Sequence, residues 1–267
     1  MTPPSRSGPR RHGRPPYRVV LVHGGPGAPG SLGALGRELS RSVGVLEPWQ
    51  SARTVAGEVT ELRRQIEGFA SPPTVLVGHS WGAWLAVLLA SQHPELVRRL
   101  VLVGSAPFRA RDAVGIDRRR WLRMTPAERR ELGALWRMAS DPRKRLSSRS
   151  MHRIMEIFEG ADSYELLPHS PTESRFEPRV FFPVWRQADR LRRSGALERS
   201  LRAVRVPVLV LHGRYDPHPA RGVVAPLRKA GVDVRVVLLD RCGHSPWRER
   251  YGRVPFLREL RIEVRRP

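Results

Sequence analysis

The sequence predicts an α/β fold built on a mostly parallel sheet flanked by helices, interrupted once by an inserted helical cap. Three observations carry that reading. Short Val- and Leu-rich runs alternate with segments of helical periodicity from Arg18 onward, the rhythm of strand, helix, strand units whose strands lie parallel and buried. One such run, Thr74-Val-Leu-Val-Gly78, leads directly into Trp81 to His93, a stretch apolar nearly all round. From about Phe108 to Arg202 the apolar runs give way to charged, proline-punctuated segments of helical pattern.

Residues 1–17 are rich in Pro, Gly, Ser and Arg, lack the apolar stretch of a secretory signal, and are expected to form a disordered basic arm. Arg18 to His23 is a β-branched strand that stops at Gly24-Gly25-Pro26-Gly27. Ser31 to Leu39 fits a helix, and Val43-Gly-Val-Leu46 is a second, weaker strand. Val55, Val59, Leu62 and Ile66 recur at helical spacing in Thr54 to Phe69, a helix closed by Pro72-Pro73. The strand to Gly78 and the helix to His93 follow, Pro94 ends the helix, and Leu100 to Val103 is the next buried strand. Residues 109–202 form the cap. The rhythm returns with a strand over Val206 to Leu211, a helix over Ala220 to Ala230, a strand over Val234 to Leu239 and a final helix beginning near Pro246 or Arg248. The core is therefore 18–108 together with 203–267.

Composition excludes several classes. The chain has 267 residues, of which 40% are hydrophobic and 27% charged, with mean hydropathy −0.40, as suits one soluble domain with an insertion. Its net charge of +23 comes almost entirely from arginine, since Lys144 and Lys229 are the only lysines. The arginines are spread from Arg6 to Arg266 without interleaved aromatics, which describes a solvated surface rather than a nucleic-acid patch. The longest apolar run, around Trp81 to Ala90, falls far short of the roughly 20 residues that cross a bilayer. A single cysteine, Cys242, leaves no internal disulfide and no cysteine metal site, so a reducing, cytoplasmic setting is expected.

The chemistry centres on Gly78-His79-Ser80-Trp81-Gly82, a G-x-S-x-G between an apolar strand and an apolar helix. A serine on that strained turn projects its hydroxyl above the sheet edge, and side chains at 78 or 82 would collide with neighbouring backbone. Serine needs a histidine base, itself oriented by a buried carboxylate. Asp216 follows the strand ending at Leu211, and His244 follows the strand ending at Leu239. Both lie at the edge of the parallel sheet that carries Ser80, with Asp240 the alternative acid. The glycine-rich His23-Gly24-Gly25-Pro26-Gly27 loop leaves backbone N–H groups free, and Gly25 and Trp81 are assigned as oxyanion donors. Pro26 has no N–H, and His23 and His79 are expected to pack or orient these loops.

These residues resemble the α/β-hydrolase family over about Arg18 to Phe108 and Val206 to Leu260. The combination of His23-Gly-Gly-Pro-Gly27, Gly78-His-Ser-Trp-Gly82, Asp216 and His244 is similar to the branch that contains proline iminopeptidases and other small serine hydrolases. The resemblance implies Ser80 as nucleophile, His244 as general base then acid, Asp216 as the orienting acid, and an acyl-enzyme resolved by water without metal or cofactor. The expected activity is cleavage of a small ester, amide or peptide bond. The alternatives are an iminopeptidase-type aminopeptidase and, in a different class, a non-catalytic binding protein on the same scaffold. The expected partner is a small-molecule substrate, with no specific nucleic acid and no membrane; the sequence carries no signal for an oligomeric state. The Trp-x-x-Trp-Glu run of iminopeptidase caps is missing, its nearest counterpart being Met151 to Glu159 followed by Asp162 and Glu165. Trp121, Trp136 and Trp185 either wall an acyl pocket or anchor the cap.

Overall fold

The computed structural model describes residues 8–140, 147–168 and 177–266. Seven strands, β1 (Arg10–His12), β2 (Tyr17–Val22), β3 (Gly44–Glu47), β4 (Thr74–His79), β5 (Val97–Val103), β6 (Val208–Gly213) and β7 (Val234–Leu239), form one sheet in the order β1-β3-β2-β4-β5-β6-β7. Every neighbouring pair is parallel except β1 on β3. The strand order reverses between β2 and β4, and at such a switch point the loops leaving the two carboxyl ends diverge and open a crevice. The loops after β2 and β4 hold His23 to Gly27 and Ser80.

Helices cover both faces, which is why the centre of β4, Val75 to Val77, is continuously apolar rather than alternating. Leu76 joins Val20, Leu100 and Val210 against α2 (Val55–Phe69) and α3 (Trp81–Gln92). Val75 and Val77 join Leu21, Val101 and Leu209 against α1 (Gly33–Leu39) and α10 (Arg253–Arg265) on the other face. Each fully buried Val or Leu contributes roughly 1.5–3 kcal/mol to keeping the layers together. Thr54 caps α2 by accepting from Gly57 N at 3.0 Å.

The disordered arm expected over residues 1–17 is corrected from residue 8 onward. Arg10–His12 pairs with the free edge of β3, His12 Nε2 meets the buried Glu47 carboxylate at 3.0 Å, and Trp49 Nε1 donates to Gly8 O at 2.8 Å. A segment with no hydrophobic periodicity is ordered here by an edge strand, an ion pair and an indole, none of which local pattern reveals. Residues 1–7 lie outside the described residues. The expected final helix start also moves: Pro246–Arg248 is a separate turn of 3-10 helix, and α10 begins at Arg253.

Between β5 and β6 the chain leaves the sheet for α4 (Ile116–Arg123), α5 (Pro126–Ser140), α6 (Ser148–Asp162), α7 (Pro178–Arg193) and α8 (Ala196–Ser200), and α9 (Arg221–Lys229) then connects β6 to β7. Met124, Leu132, Met151, Ile154 and Ile157 form an apolar cluster of their own with Ala28 from the loop after β2. Val180, Val184 and Ala188 of α7 instead join the cluster around α2 and α3.

Two packing details generate tests. A Cβ on Gly82 would lie 2.1 Å from Val22 O and 2.6 Å from His23 O, so β2 and α3 can cross only with glycine there. Gly82→Ala is therefore expected to cost about 3 kcal/mol or more, read as a Tm loss of about 10 °C or as no folded protein; an unchanged melting curve would contradict this packing. Glu58 of α2 is buried with Oε2 accepting from Trp81 Nε1 at 3.1 Å, and burial pushes its carboxyl up to about 8 from 4.5. The folded chain thus holds a proton that the unfolded chain releases, and stability falls as pH rises from 4.5 to 8, a penalty of up to about 5 kcal/mol above that range. Glu58→Gln keeps the acceptor and removes the penalty, so it raises Tm by roughly 5–10 °C at pH 9 and little at pH 5; equal effects at both pH values would show that Glu58 does not carry the proton.

Candidate active site

Ser80 sits between β4 and α3 with φ 54° and ψ −116°, a left-handed backbone rarely adopted by a side-chain-bearing residue. Ser80 N donates to Val103 O at 3.0 Å, which ties the turn to β5. A Cβ on Gly78 would lie 2.4 Å from Gly82 O, so the strand and helix flanking the serine are in backbone contact. The loop after β2 passes equally close: a Cβ on Gly24 would lie 3.1 Å from Ser80 Cβ.

β6 and β7 deliver the other two groups. Asp216, whose side chain is fully buried, accepts from His244 Nδ1 through Oδ2 at 2.8 Å. Its Oδ1 accepts from His218 N and His218 Nδ1, each at 2.8 Å. His79, directly before the serine, donates from Nε2 to His244 O at 3.1 Å, and the two rings lie 4.8 Å apart. These contacts place the imidazole beside the turn that carries Ser80.

Burial by itself would raise the Asp216 carboxyl, but the His244, His218 and His212 imidazoles and the His218 hydrogen bond hold it well below the usual carboxylate range. Burial by itself would lower His244, yet the Asp216 charge and hydrogen bond raise it above its ordinary 6.5. His79 and His218 go the other way, both lowered mainly by burial. The cluster therefore combines a buried anion, one imidazole raised above its ordinary value and two lowered by burial, an arrangement suited to moving one proton.

The loop carrying His244 is held from two sides. The buried Glu249 carboxylate accepts from Gly243 N at 2.8 and 2.9 Å and from Tyr164 N at 2.8 Å. Asp162, at the end of α6, accepts from His244 N through its backbone O at 3.0 Å, and its carboxylate takes a two-pronged Arg120 at 2.7 and 2.6 Å. Nothing in the sequence pattern marked Glu249 or the Arg120–Asp162 pair. His218 carried a legible signal, standing two residues after Asp216.

The other expected residues fall as follows. Trp81 is the first residue of α3, where N–H groups lack helical acceptors, and its buried indole donates to Gln50 and Glu58 at 3.1 Å. Gly25 has φ 55°, and Gly25 O accepts from Ala28 N at 3.1 Å in a tight turn. His23 is buried with Nδ1 against Gly24 O at 3.1 Å. Asp240, the alternative acid, is 81% exposed in its side chain and paired with Arg214, away from His244. Trp185 stacks on Trp84 and Phe181 at 6.3 and 6.1 Å, whereas Trp121 and Trp136 are exposed on α4 and α5. Among the described residues, Asp162, His218 and His244 bring potential metal-ligand atoms within 4.8 Å of one another. All three already have partners: Asp162 pairs with Arg120, and both histidines direct Nδ1 to Asp216.

Comparison with known proteins agrees with this architecture. The first relative is a 2-hydroxymuconate semialdehyde hydrolase of Pseudomonas sp. (strain CF600), 32% identical over 153 residues, 53% of this chain and 44% of that protein. The chain thus spans less than half of that relative's length. A protein of the same name from Pseudomonas putida is 26% identical over 253 residues, covering 85% of this chain and 80% of its own. The crystal structure of VinJ superposes with TM-score 0.66 at 22% identity, covering 96% of this chain and 94% of that one, a likeness of fold. A family profile described as the alpha/beta hydrolase family matches residues 19–254, so strands β3 to β7, most of β2, the turn at Ser80 and the loops at Asp216 and His244 fall inside it, and the chain belongs to the α/β-hydrolase family.

Proposed function

We propose that this α/β-hydrolase is a serine hydrolase that cleaves a small ester, amide or peptide bond through an acyl-enzyme. The carrying observation is the His244–Asp216 contact at 2.8 Å beside a serine held on a left-handed strand-to-helix turn. In this reading Ser80 Oγ attacks the substrate carbonyl as its proton passes to His244 Nε2. Asp216 fixes the tautomer by accepting from Nδ1 and stabilises the imidazolium. The oxyanion is met by the N–H groups of Gly25 and Trp81. Imidazolium then protonates the leaving group, and water, deprotonated by the same nitrogen, releases the acid and regenerates Ser80.

The iminopeptidase alternative needs cap acids free to hold a substrate ammonium. The acids of that stretch are instead paired with arginine: Glu156 with Arg153, Glu159 with Arg248, Asp162 with Arg120 and Glu165 with Arg250. That pairing favours a neutral or anionic substrate over a cationic one. The names of the Pseudomonas relatives favour one specific reading of that kind, a semialdehyde of the 2-hydroxymuconate class attacked by the same serine.

Ser80→Ala is expected to abolish turnover and labelling by a fluorophosphonate probe with an unchanged melting curve, and Asp216→Asn to lower kcat by about 10⁴. Full activity of Ser80→Ala would overturn the mechanism, whereas no label at Ser80 and no turnover in folded wild-type protein would move the binding-protein reading ahead. A panel of nitrophenyl esters, proline and alanine anilides and a 2-hydroxymuconate semialdehyde separates the substrate classes. Because His244 is raised above 6.5 and must be neutral to act as base, kcat/KM is expected to rise with pH through a midpoint above 6.5; a flat profile from pH 5 to 8 would exclude a histidine base.

A further inference from the structure

The Asp216 carboxylate is shared. A triad acid needs one oxygen for its histidine; here the second oxygen faces another imidazole, that of His218, with the same 2.8 Å contact. His218 grips Asp216 twice, by its backbone N–H and its ring Nδ1, both on Oδ1. The His218 ring also lies 4.6 Å from the His244 ring at 30°, so the two imidazoles sit side by side on one anion. His212 completes the enclosure: its Nε2 donates to His218 O at 2.7 Å and approaches Asp216 Oδ2 at 3.4 Å.

We infer that His218 is a positioning residue for the reaction, sharing the charge of Asp216 with His244 and thereby setting both the orientation and the basicity of the catalytic imidazole. This rests on the serine-hydrolase reading above. An ionised carboxylate only accepts, so His218 Nδ1 carries the proton and donates it. Each N–H that Asp216 accepts draws charge away from the bond to His244, and the grip on Oδ1 stops the carboxylate from rotating. Burial keeps His218 itself uncharged in the working range, which makes it a fixed donor rather than a second titrating base.

The charged and titratable groups around this ring include His79 at the end of β4, lowered by burial, whose ring lies 4.8 Å from that of His244. Asp216 shares its loop, His212 comes from β6, and His244 from the loop after β7. Asp162 of α6 lies within ligand-atom distances of 4.8 Å, and Arg120 of α4 is paired with it at 2.6 Å. Arg119, also of α4, donates to Pro217 O at 2.8 Å behind the ring. The Arg120–Asp162 pair is internally neutralised, so removal of His218 exposes Asp216 chiefly to His244.

The sign follows. With His218→Ala the Asp216 charge acts more strongly on His244, the imidazolium is stabilised, and the acid limb of kcat/KM moves to higher pH. His218→Asn places an amide N–H where His Nδ1 stood and restores the donor. The expected result is a kcat loss of about tenfold or more in His218→Ala with the limb moved up by roughly half a pH unit or more, both largely returned in His218→Asn. The proposal is overturned by a wild-type kcat and limb in His218→Ala. It is also overturned if the Ala and Asn variants are equally impaired with an unmoved limb and a lowered Tm, the pattern of a merely structural residue. Ser80→Ala run alongside separates the levels: retained turnover there removes the triad itself, whereas a dead Ser80→Ala with a normal His218→Ala removes only the role of His218.

Discussion

The crossing of three backbones at one point governs this molecule. β2 ends against α3 at Gly82 and β4 enters α3 through Gly78, both at distances that no Cβ tolerates without a shift, and the loop after β2 runs close past Ser80 at Gly24. Because α3 is buried on nearly every side, it cannot tilt to relieve that contact. The strain is taken up at Ser80, held at φ 54° by the surrounding sheet and helix. The Ser80 hydroxyl, the first N–H of α3 and the glycine-rich loop are thus positioned by the same close approach. Pre-organisation of that kind costs local conformational freedom and is sustained by the apolar layers on both faces of the sheet.

The opposite wall of the site is polar and is held by charge. Asp216, Glu249 and Asp162 are buried carboxylates that hold the His244 loop from three different parts of the chain, each satisfied by N–H donors or a guanidinium. A buried anion left without such partners would be strongly destabilising, so each one fixes the groups around it. Glu249 holds Gly243 N and Tyr164 N, while Asp162 O holds His244 N, so the imidazole is located by the segment after α6 as well as by the sheet.

The helices between β5 and β6 are therefore coupled to both walls. At the residue just before α7, Glu177 N donates to Gly27 O at 2.7 Å, and Val180 packs beside Gly27. At the end of α6, Asp162 supports His244. A helical insertion that touches the glycine-rich loop with one helix and the histidine loop with another controls the shape of the space between them. Acids near the end of α6 are paired with arginines, Asp162 with Arg120 of α4, and Glu159 and Glu165 with Arg248 and Arg250 from the segment after β7.

Local pattern by itself determined the mostly parallel sheet, its main strands along the chain and the loops that carry Ser80, Asp216 and His244, whereas the order of the strands across the sheet came from tertiary structure. Strand periodicity and glycine spacing are local consequences of burial on two faces and of backbone approach, and they are written along the chain. The different settings of Asp216 and Asp240 came from tertiary structure, which buries the first against three imidazoles and leaves the second in a surface ion pair with Arg214. The edge strand Arg10–His12, the role of Glu249 and the Arg120–Asp162 clamp were likewise invisible in the sequence. Each depends on a partner supplied by a distant element, and hydrogen bonds between distant elements leave no period to read.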